Sequence, residues 1–148
     1  MNSHSAGLTR VLLADDDEDD RIFFREALEE IPLATSLHAV KDGVELMNVL
    51  HPEQRNIPDV IFLDLNMPGR NGKECLGEIR TMNHLKELPV IIFSTSANHK
   101  DVEEAYQLGA NLYLQKPSGY TLMVQLLEKV LKIDWKQFIR DRQRFLFS

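Results

Sequence analysis

The stretch that decides the fold is VIFLDLNMPGRNG, residues 60–72. It begins with four apolar residues, reaches an acid at Asp64 and then continues as polar, turn-forming residues up to Gly72. A short apolar run bounded by turn residues is typical of a strand that is buried on both faces. Because Asp64 stands where the apolar run ends, its role depends on where the strand ends meet in the fold.

Five apolar runs of this kind alternate along the chain with longer stretches that have helical spacing. The runs are TRVLLA (9–14), TSLHAV (35–40), DVIFLD (59–64), PVIIFS (89–94) and NLYLQ (111–115). Five strands alternating with five helices predict a parallel α/β sheet with right-handed crossovers. Ligands of such sheets bind outside the carboxyl ends of the strands, so Asp64 is expected at the edge where ligands bind.

The helices are placed by their apolar stripes and by the residues that end them. They are expected from near Asp19 to Pro32, from Gly43 to His51, after Gly72, from Lys100 to Leu108 and from Tyr120 to Ile133. The side chains expected to face the core include Ile22 in the first helix, Val44 in the second and Leu122 in the fifth. Gly109 is expected to end the fourth helix in a left-handed conformation.

Composition narrows the class of protein. The chain has 148 residues, which is about one domain, and 43% of them are hydrophobic. A net charge of −6 argues against broad electrostatic binding to nucleic acid. The single cysteine, Cys75, cannot form an internal disulfide, which fits a cytoplasmic location. No stretch approaches the roughly 20 apolar residues of a membrane span.

Three other predicted strands also end in polar side chains. Asp15 and Asp16 follow the first strand, Ser94 ends the fourth, and Lys116 follows the fifth. The predicted sheet brings all of these to the same edge as Asp64. Three carboxylates placed so closely repel one another, and a divalent cation such as Mg²⁺ relieves that repulsion.

The same side chains suit phosphoryl chemistry. The ammonium group of Lys116 can donate to phosphate oxygens, and the hydroxyl of Ser94 can donate to another. A carboxylate such as Asp64 can itself be the nucleophile and form an aspartyl phosphate. Two aspartates, with a main-chain carbonyl near Asn66, make a suitable partial cage for Mg²⁺.

The sequence resembles the receiver domain of two-component response regulators, of the chemotaxis-regulator type. The resemblance covers residues 8–133 and is carried by four blocks in register, which are LLADDD, DVIFLDLNMPGRNG, PVIIFS and LYLQKP. It implies a flavodoxin-like α/β fold with a five-stranded parallel sheet in the order 2-1-3-4-5, flanked by five helices. Residues 1–7 are then a flexible leader and residues 134–148 a C-terminal extension.

The resemblance also implies a role for each residue of the site. Asp64 matches the phosphoacceptor, and Lys116 matches the lysine that contacts the phosphoryl group. Asp15 and Asp16 match the acidic pair that binds Mg²⁺ together with Asp64 and the main-chain carbonyl of Asn66. Ser94 and Tyr113 match the hydroxyl and the aromatic side chain of a conformational switch. The bond from Lys116 to Pro117 is expected to be cis.

A receiver domain takes its phosphoryl group from a sensor histidine kinase, here expected to be of phytochrome type, and acts on a downstream protein. It is not expected to be an enzyme beyond its own phosphorylation and dephosphorylation. One alternative is a phosphorelay intermediate or phosphate sink without conformational output. Another is a Mg²⁺-dependent phosphatase, but Asn66 stands where such enzymes carry a second, general-acid aspartate.

Two stretches outside the motifs are open to a plainer interpretation. The acids that follow Asp16 are interpreted as solvated residues that suit the positive end of a helix; they are Asp17, Glu18, Asp19 and Asp20. The extension, residues 134–148, is too short for a DNA-binding domain, so the output is expected to be protein contact. It either continues the fifth helix and packs on its own domain or forms a surface for a partner or for a homodimer with helix 4, strand 5 and helix 5.

Overall fold

The computed structural model of the chain describes residues 7–54 and 56–147. Strands and α-helices alternate along these residues as the sequence pattern predicts. The elements are β1 (Leu8–Ala14), α1 (Glu18–Glu30), β2 (Ala34–Val40), α2 (Gly43–Val49), β3 (Val60–Leu63), α3 (Gly72–Thr81), β4 (Val90–Ser94), α4 (His99–Gln107), β5 (Leu112–Gln115), α5 (Tyr120–Leu131) and β6 (Leu146–Phe147). Apart from Gly7, the expected leader lies outside the described residues.

The strands form one parallel sheet in the order β2-β1-β3-β4-β5-β6. Its first five strands confirm the predicted order and the flavodoxin-like architecture. The sixth strand corrects the predicted count of five: Leu146 and Phe147 pair with Tyr113 and Leu114 of β5. A strand of two residues is too short to show an alternating pattern in the sequence, so it was not predicted.

Each face of the sheet carries its own core. Alternate residues of β1 point to opposite faces, with Leu12 and Ala14 in one core and Val11 and Leu13 in the other. The first core is completed by α2, α3 and α4, and the second by α1 and α5. A sheet covered on both faces explains why its central strands are apolar throughout.

The faces that the helices bury differ from the predicted stripes at three positions. Ile22, Val44 and Leu122 were expected to face the core, but they are 45%, 56% and 48% exposed. In α5 the buried side chains are Met123, Leu126, Leu127 and Val130, which have the spacing i, i+3, i+4, i+7 and leave Leu122 outside the buried stripe. These helices contain more apolar residues than one stripe needs, and packing against the sheet decides which stripe is buried.

The end of α4 is as the sequence predicts, whereas the bond before Pro117 and the end of α5 differ from expectation. Gly109 ends α4 with φ +100°, the predicted left-handed conformation. No cis peptide bond occurs within residues 7–54 and 56–147, so the expected cis bond before Pro117 is not found. The helix α5 ends at Leu131, so the extension does not continue it.

None of the helices in the described part of the chain is long and apolar enough to cross a membrane.

The extension packs back on its own domain. After α5 the chain makes a 3₁₀ turn at Arg142–Arg144 and then forms β6. Phe145 is 2% exposed and belongs to the core that contains Tyr113. Both Arg140 and Arg142 lie over the ring of Tyr106 in α4, with guanidinium carbons 4.1 Å and 4.4 Å from the ring centroid. The tail therefore covers part of the α4–β5 surface.

Candidate phosphorylation site

The carboxyl ends of β1, β3 and β5 bring three side chains together, as the sequence predicts. The ammonium nitrogen Nζ of Lys116 lies 2.7 Å from Oδ2 of Asp15 and 3.3 Å from Oδ2 of Asp64. A third carboxylate, Oδ2 of Asp20, lies 2.8 Å from the same nitrogen. One lysine thus contacts three acids, two from the β1–α1 region and one from the end of β3, that are all distant from it in the sequence.

Asp15 is the most buried acid of the site. Its backbone N–H donates to the carbonyl of Val40 and its Oδ1 accepts from the N–H of Asp17, so the side chain has a fixed orientation. Its Oδ2 is buried, and the contact with Lys116 lacks the angles of a hydrogen bond. Burial raises the pKa of Asp15 to about 6, although contacts with Lys116 and Asp17 act in the opposite direction.

Lys116 is charged despite being buried. Its side chain is only 9% exposed, and burial alone would lower its pKa. The contacts with Asp15 and Asp20 and the negative charge of Asp64 outweigh burial, so the pKa of Lys116 is raised. A lysine in this position supplies a fixed positive charge beside the Asp64 carboxylate.

The loop after β3 holds Asp64 in place. The Asp64 N–H donates to the carbonyl of Ala14, and its Oδ1 accepts from the N–H of Asn66 at 3.0 Å. The start of α3 packs tightly on this backbone, because a Cβ at Gly72 would lie 2.3 Å from the Asp64 carbonyl oxygen. Asn66 itself is exposed, and the role of its main-chain carbonyl as a metal ligand remains a prediction.

Three of the carboxylates are suited to hold a cation. Oxygen atoms of Asp15, Asp16 and Asp64 lie within 4.8 Å of one another. Asp15 and Asp64 are buried and Asp16 is exposed, so the cluster opens to solvent on one side. The buried Oδ2 of Asp15 has an ion pair with Lys116 but no hydrogen-bond partner among the described residues, so it can also coordinate a cation. Hard divalent cations prefer such oxygen donors, and the residues present fit one.

Ser94 and Tyr113 lie on β4 and β5, and within the described residues no hydrogen bond joins either one to Asp64. Ser94 ends β4, is fully buried, and its carbonyl accepts from the N–H of Lys116 at 2.8 Å. The Tyr113 side chain is buried in the core, and its hydroxyl donates to the carbonyl of Ser96 at 2.7 Å. Burial raises the pKa of Tyr113. The ring therefore occupies an inward position behind the loop that follows Ser94.

Two residues near the site were missed in the sequence. Asp20 was interpreted as a solvated acid of the first turn of α1, but it pairs with Lys116. Phe145 was counted among the apolar residues of the tail, but its ring contacts Tyr113. Neither contact has a local signal, because each joins residues from distant parts of the chain.

Comparison with known proteins gives the family. A family model for the response regulator receiver domain matches residues 11–128. The response regulator Rcp1 of Synechocystis sp. is 36% identical over 124 residues, which cover 81% of this chain and 84% of Rcp1.

Two solved structures are similar in fold and in length. The phosphorylated cyanobacterial phytochrome response regulator RcpA matches with a TM-score of 0.77 and 31% identity, covering 88% of this chain and 96% of that one. The Mn²⁺-bound form of Rcp1 matches with a TM-score of 0.76 and 28% identity, covering 90% of this chain and 99% of that one.

The chain belongs to the response regulator receiver family. It is a two-component response regulator, and nothing in these similarities favours a phosphorelay intermediate or phosphate sink. Members of this family are regulators that work with histidine kinases and bind a divalent cation, and the Asp15, Asp16 and Asp64 cluster provides a place for one.

Proposed function

We propose that Asp64 accepts a phosphoryl group from a sensor histidine kinase in a Mg²⁺-dependent reaction. The observation that carries this proposal is that Asp64 lies beside the buried ammonium group of Lys116 and shares a carboxylate cluster with Asp15 and Asp16. Nζ of Lys116 lies 3.3 Å from one Asp64 oxygen, and oxygen atoms of the three carboxylates lie within 4.8 Å of one another. A nucleophilic carboxylate needs positive charge beside it when it approaches an anionic phosphoryl group.

The reaction assigns one role to each residue. An Asp64 oxygen attacks phosphorus, the new O–P bond forms, and the N–P bond to the kinase histidine breaks with its electron pair returning to the imidazole nitrogen. Lys116 donates to a phosphoryl oxygen and neutralises part of its charge. Ser94 donates its hydroxyl hydrogen to another phosphoryl oxygen. A Mg²⁺ ion held by Asp15, Asp16 and Asp64, with the carbonyl of Asn66, supplies further charge neutralisation.

The consequence of phosphorylation is carried by β4, α4 and β5. A phosphoryl group adds about −1.5 to −2 charge and draws in its hydroxyl and ammonium donors. Ser94 and Lys116 are joined through their backbones, so a shift of either one moves the loop that ends in Ser96. That loop accepts the Tyr113 hydroxyl, so Tyr113 senses the change and acts as the switch.

The partners follow from the surface and from the relatives. The similarity to RcpA, a phytochrome response regulator, supports a phytochrome-type kinase as the donor. The output is contact with a downstream protein or a homodimer formed through α4, β5, α5 and the tail. The kinase and its regulator meet in the cytoplasm, where Cys75 remains a buried thiol.

The proposal is tested by intact-mass measurement after incubation with acetyl phosphate and Mg²⁺. Wild type is expected to gain the mass of one phosphoryl group, and Asp64→Asn to gain none. Asp19→Asn is the matched control, because it makes the same chemical change at an exposed acid. A phosphoryl group on Asp64→Asn, or none on wild type, would overturn the proposal. Omission of Mg²⁺ should prevent the gain.

A further inference from the structure

We propose that Asp20 is a positioning residue that competes with the phosphoryl group for Lys116 and thereby slows phosphorylation and shortens the life of the phosphorylated state. This inference rests on the proposed function of Asp64 and adds a residue to it.

Lys116 has three N–H donors, and the structure surrounds its nitrogen with three carboxylate oxygens. They belong to Asp15 at 2.7 Å, Asp20 at 2.8 Å and Asp64 at 3.3 Å. Asp20 and Asp64 accept hydrogen bonds from this nitrogen, and Asp15 forms an ion pair with it, so three anions already surround its single positive charge. A phosphoryl oxygen can therefore approach Lys116 closely only if one of these acids gives up its contact.

Asp20 is the partner that can give way. Asp15 is fully buried, and Asp64 carries the phosphoryl group itself. Both also belong to the carboxylate cluster that suits a cation, whereas Asp20 lies outside that cluster. The Asp20 side chain is 38% exposed, so water can solvate its carboxylate after Lys116 leaves.

The contact is not needed for the start of α1. Asp17 caps this helix, because its Oδ1 accepts from the backbone N–H of Asp20 at 3.0 Å. The Asp20 carboxylate is thus free of the capping role and reaches Lys116 across 96 positions of sequence.

Removing the competitor should make Lys116 available. An ion pair that is partly exposed contributes about 0.2–1 kcal/mol, which corresponds to a change of roughly one-and-a-half- to fivefold. We expect Asp20→Asn to be phosphorylated by acetyl phosphate up to about fivefold faster than wild type. It should also lose the phosphoryl group more slowly, because Lys116 stays on the phosphoryl oxygen.

The control and the second variant separate competition from general charge. Asp19→Asn removes the same charge from the neighbouring, exposed position and should leave both rates near the wild-type values. In a Lys116→Met background, Asp20→Asn should have no further effect on either rate, because the ammonium group for which Asp20 and the phosphoryl group compete has been removed. Thermal unfolding of each variant verifies that the comparison is made between folded proteins.

The outcomes distinguish this inference from the function on which it rests. Faster phosphorylation in Asp20→Asn, absent in Asp19→Asn and lost in the Lys116→Met background, supports the competition. Equal rates in Asp20→Asn and Asp19→Asn overturn it, as does an effect that persists without Lys116. If wild type is phosphorylated on Asp64 but Asp20→Asn is not faster, only this inference fails. If wild type is not phosphorylated, both fail.

Discussion

The ring of Phe145 meets the ring of Tyr113 edge to face, with centroids 6.2 Å apart. The two residues are also joined through the backbone, because the Tyr113 N–H donates to the Phe145 carbonyl at 2.9 Å. A second edge contact, at 5.1 Å, joins Phe145 to Tyr106 of α4. Docking of the tail and the inward position of Tyr113 therefore stabilise each other, since each buries the other's ring.

Truncation of the Phe145 side chain should destabilise the whole domain. Phe145→Ala removes a ring that is 2% exposed, and we expect a loss of about 3 kcal/mol in the free energy of unfolding. Urea unfolding followed by circular dichroism measures it. Ile139→Ala, at a tail position that is 84% exposed, is the control and should change stability by less than about 0.5 kcal/mol. Equal effects of the two substitutions would show that the tail does not pack on the domain.

The affinity for divalent cations should rise when the charge of Lys116 is removed. Lys116 lies within 3.3 Å of two acids of the Asp15, Asp16 and Asp64 cluster, so its charge competes with a bound cation. Lys116→Met should bind Mg²⁺ or Mn²⁺ with an affinity at least roughly threefold higher than that of wild type, as measured by isothermal titration calorimetry. Lys73→Met is the matched control, because Lys73 pairs with Asp101 and Glu104 instead. Weaker binding in Lys116→Met would contradict this electrostatic account.

Thr95 should affect the lifetime of the phosphorylated state. It directly follows Ser94 at the carboxyl end of β4, the same edge of the sheet as Asp64, and it is exposed. We expect a smaller residue there to widen the approach of water to Asp64, so Thr95→Ala should lose phosphate roughly two- to fivefold faster, a barrier change of about 0.5–1 kcal/mol. Phosphate release over time measures the rate, and Thr81→Ala at the exposed end of α3 is the control. An unchanged rate in Thr95→Ala would remove Thr95 from the hydrolysis pathway.

Stability at high pH should depend on Tyr113. Burial raises the pKa of its hydroxyl, so the folded state favours the neutral form. This contribution is complete below the ordinary tyrosine pKa and is lost as the pH rises through the folded-state value. The difference in unfolding free energy between wild type and Tyr113→Phe should therefore shrink from about pH 9 to about pH 11. A difference that stays constant over this interval would exclude ionisation of Tyr113 as the cause.

The convergence of the site could be predicted because it depends on local signals, whereas the strand order was implied by the resemblance to receiver domains. Each apolar run ends at a polar residue, and parallel strands bring those ends to one edge. Asp15, Asp64 and Lys116 meet there for this reason alone. The exposure of Ile22 could not be predicted, because α1 carries more apolar residues than the sheet covers. Its exposure was decided by the way α1 packs on the sheet.

By itself, the sequence determined the α/β class and the set of polar side chains at the carboxyl ends of the first five strands, and its resemblance to receiver domains implied the order of those strands. Only the tertiary structure decided that Asp20 shares Lys116 and that the tail adds β6 to the edge of the sheet, where Phe145 covers Tyr113. The physical reason is the distance along the sequence over which each signal acts. Periodicity and turn residues act over a few positions, whereas the contact between Asp20 and Lys116 spans 96 positions and exists only after the chain has folded.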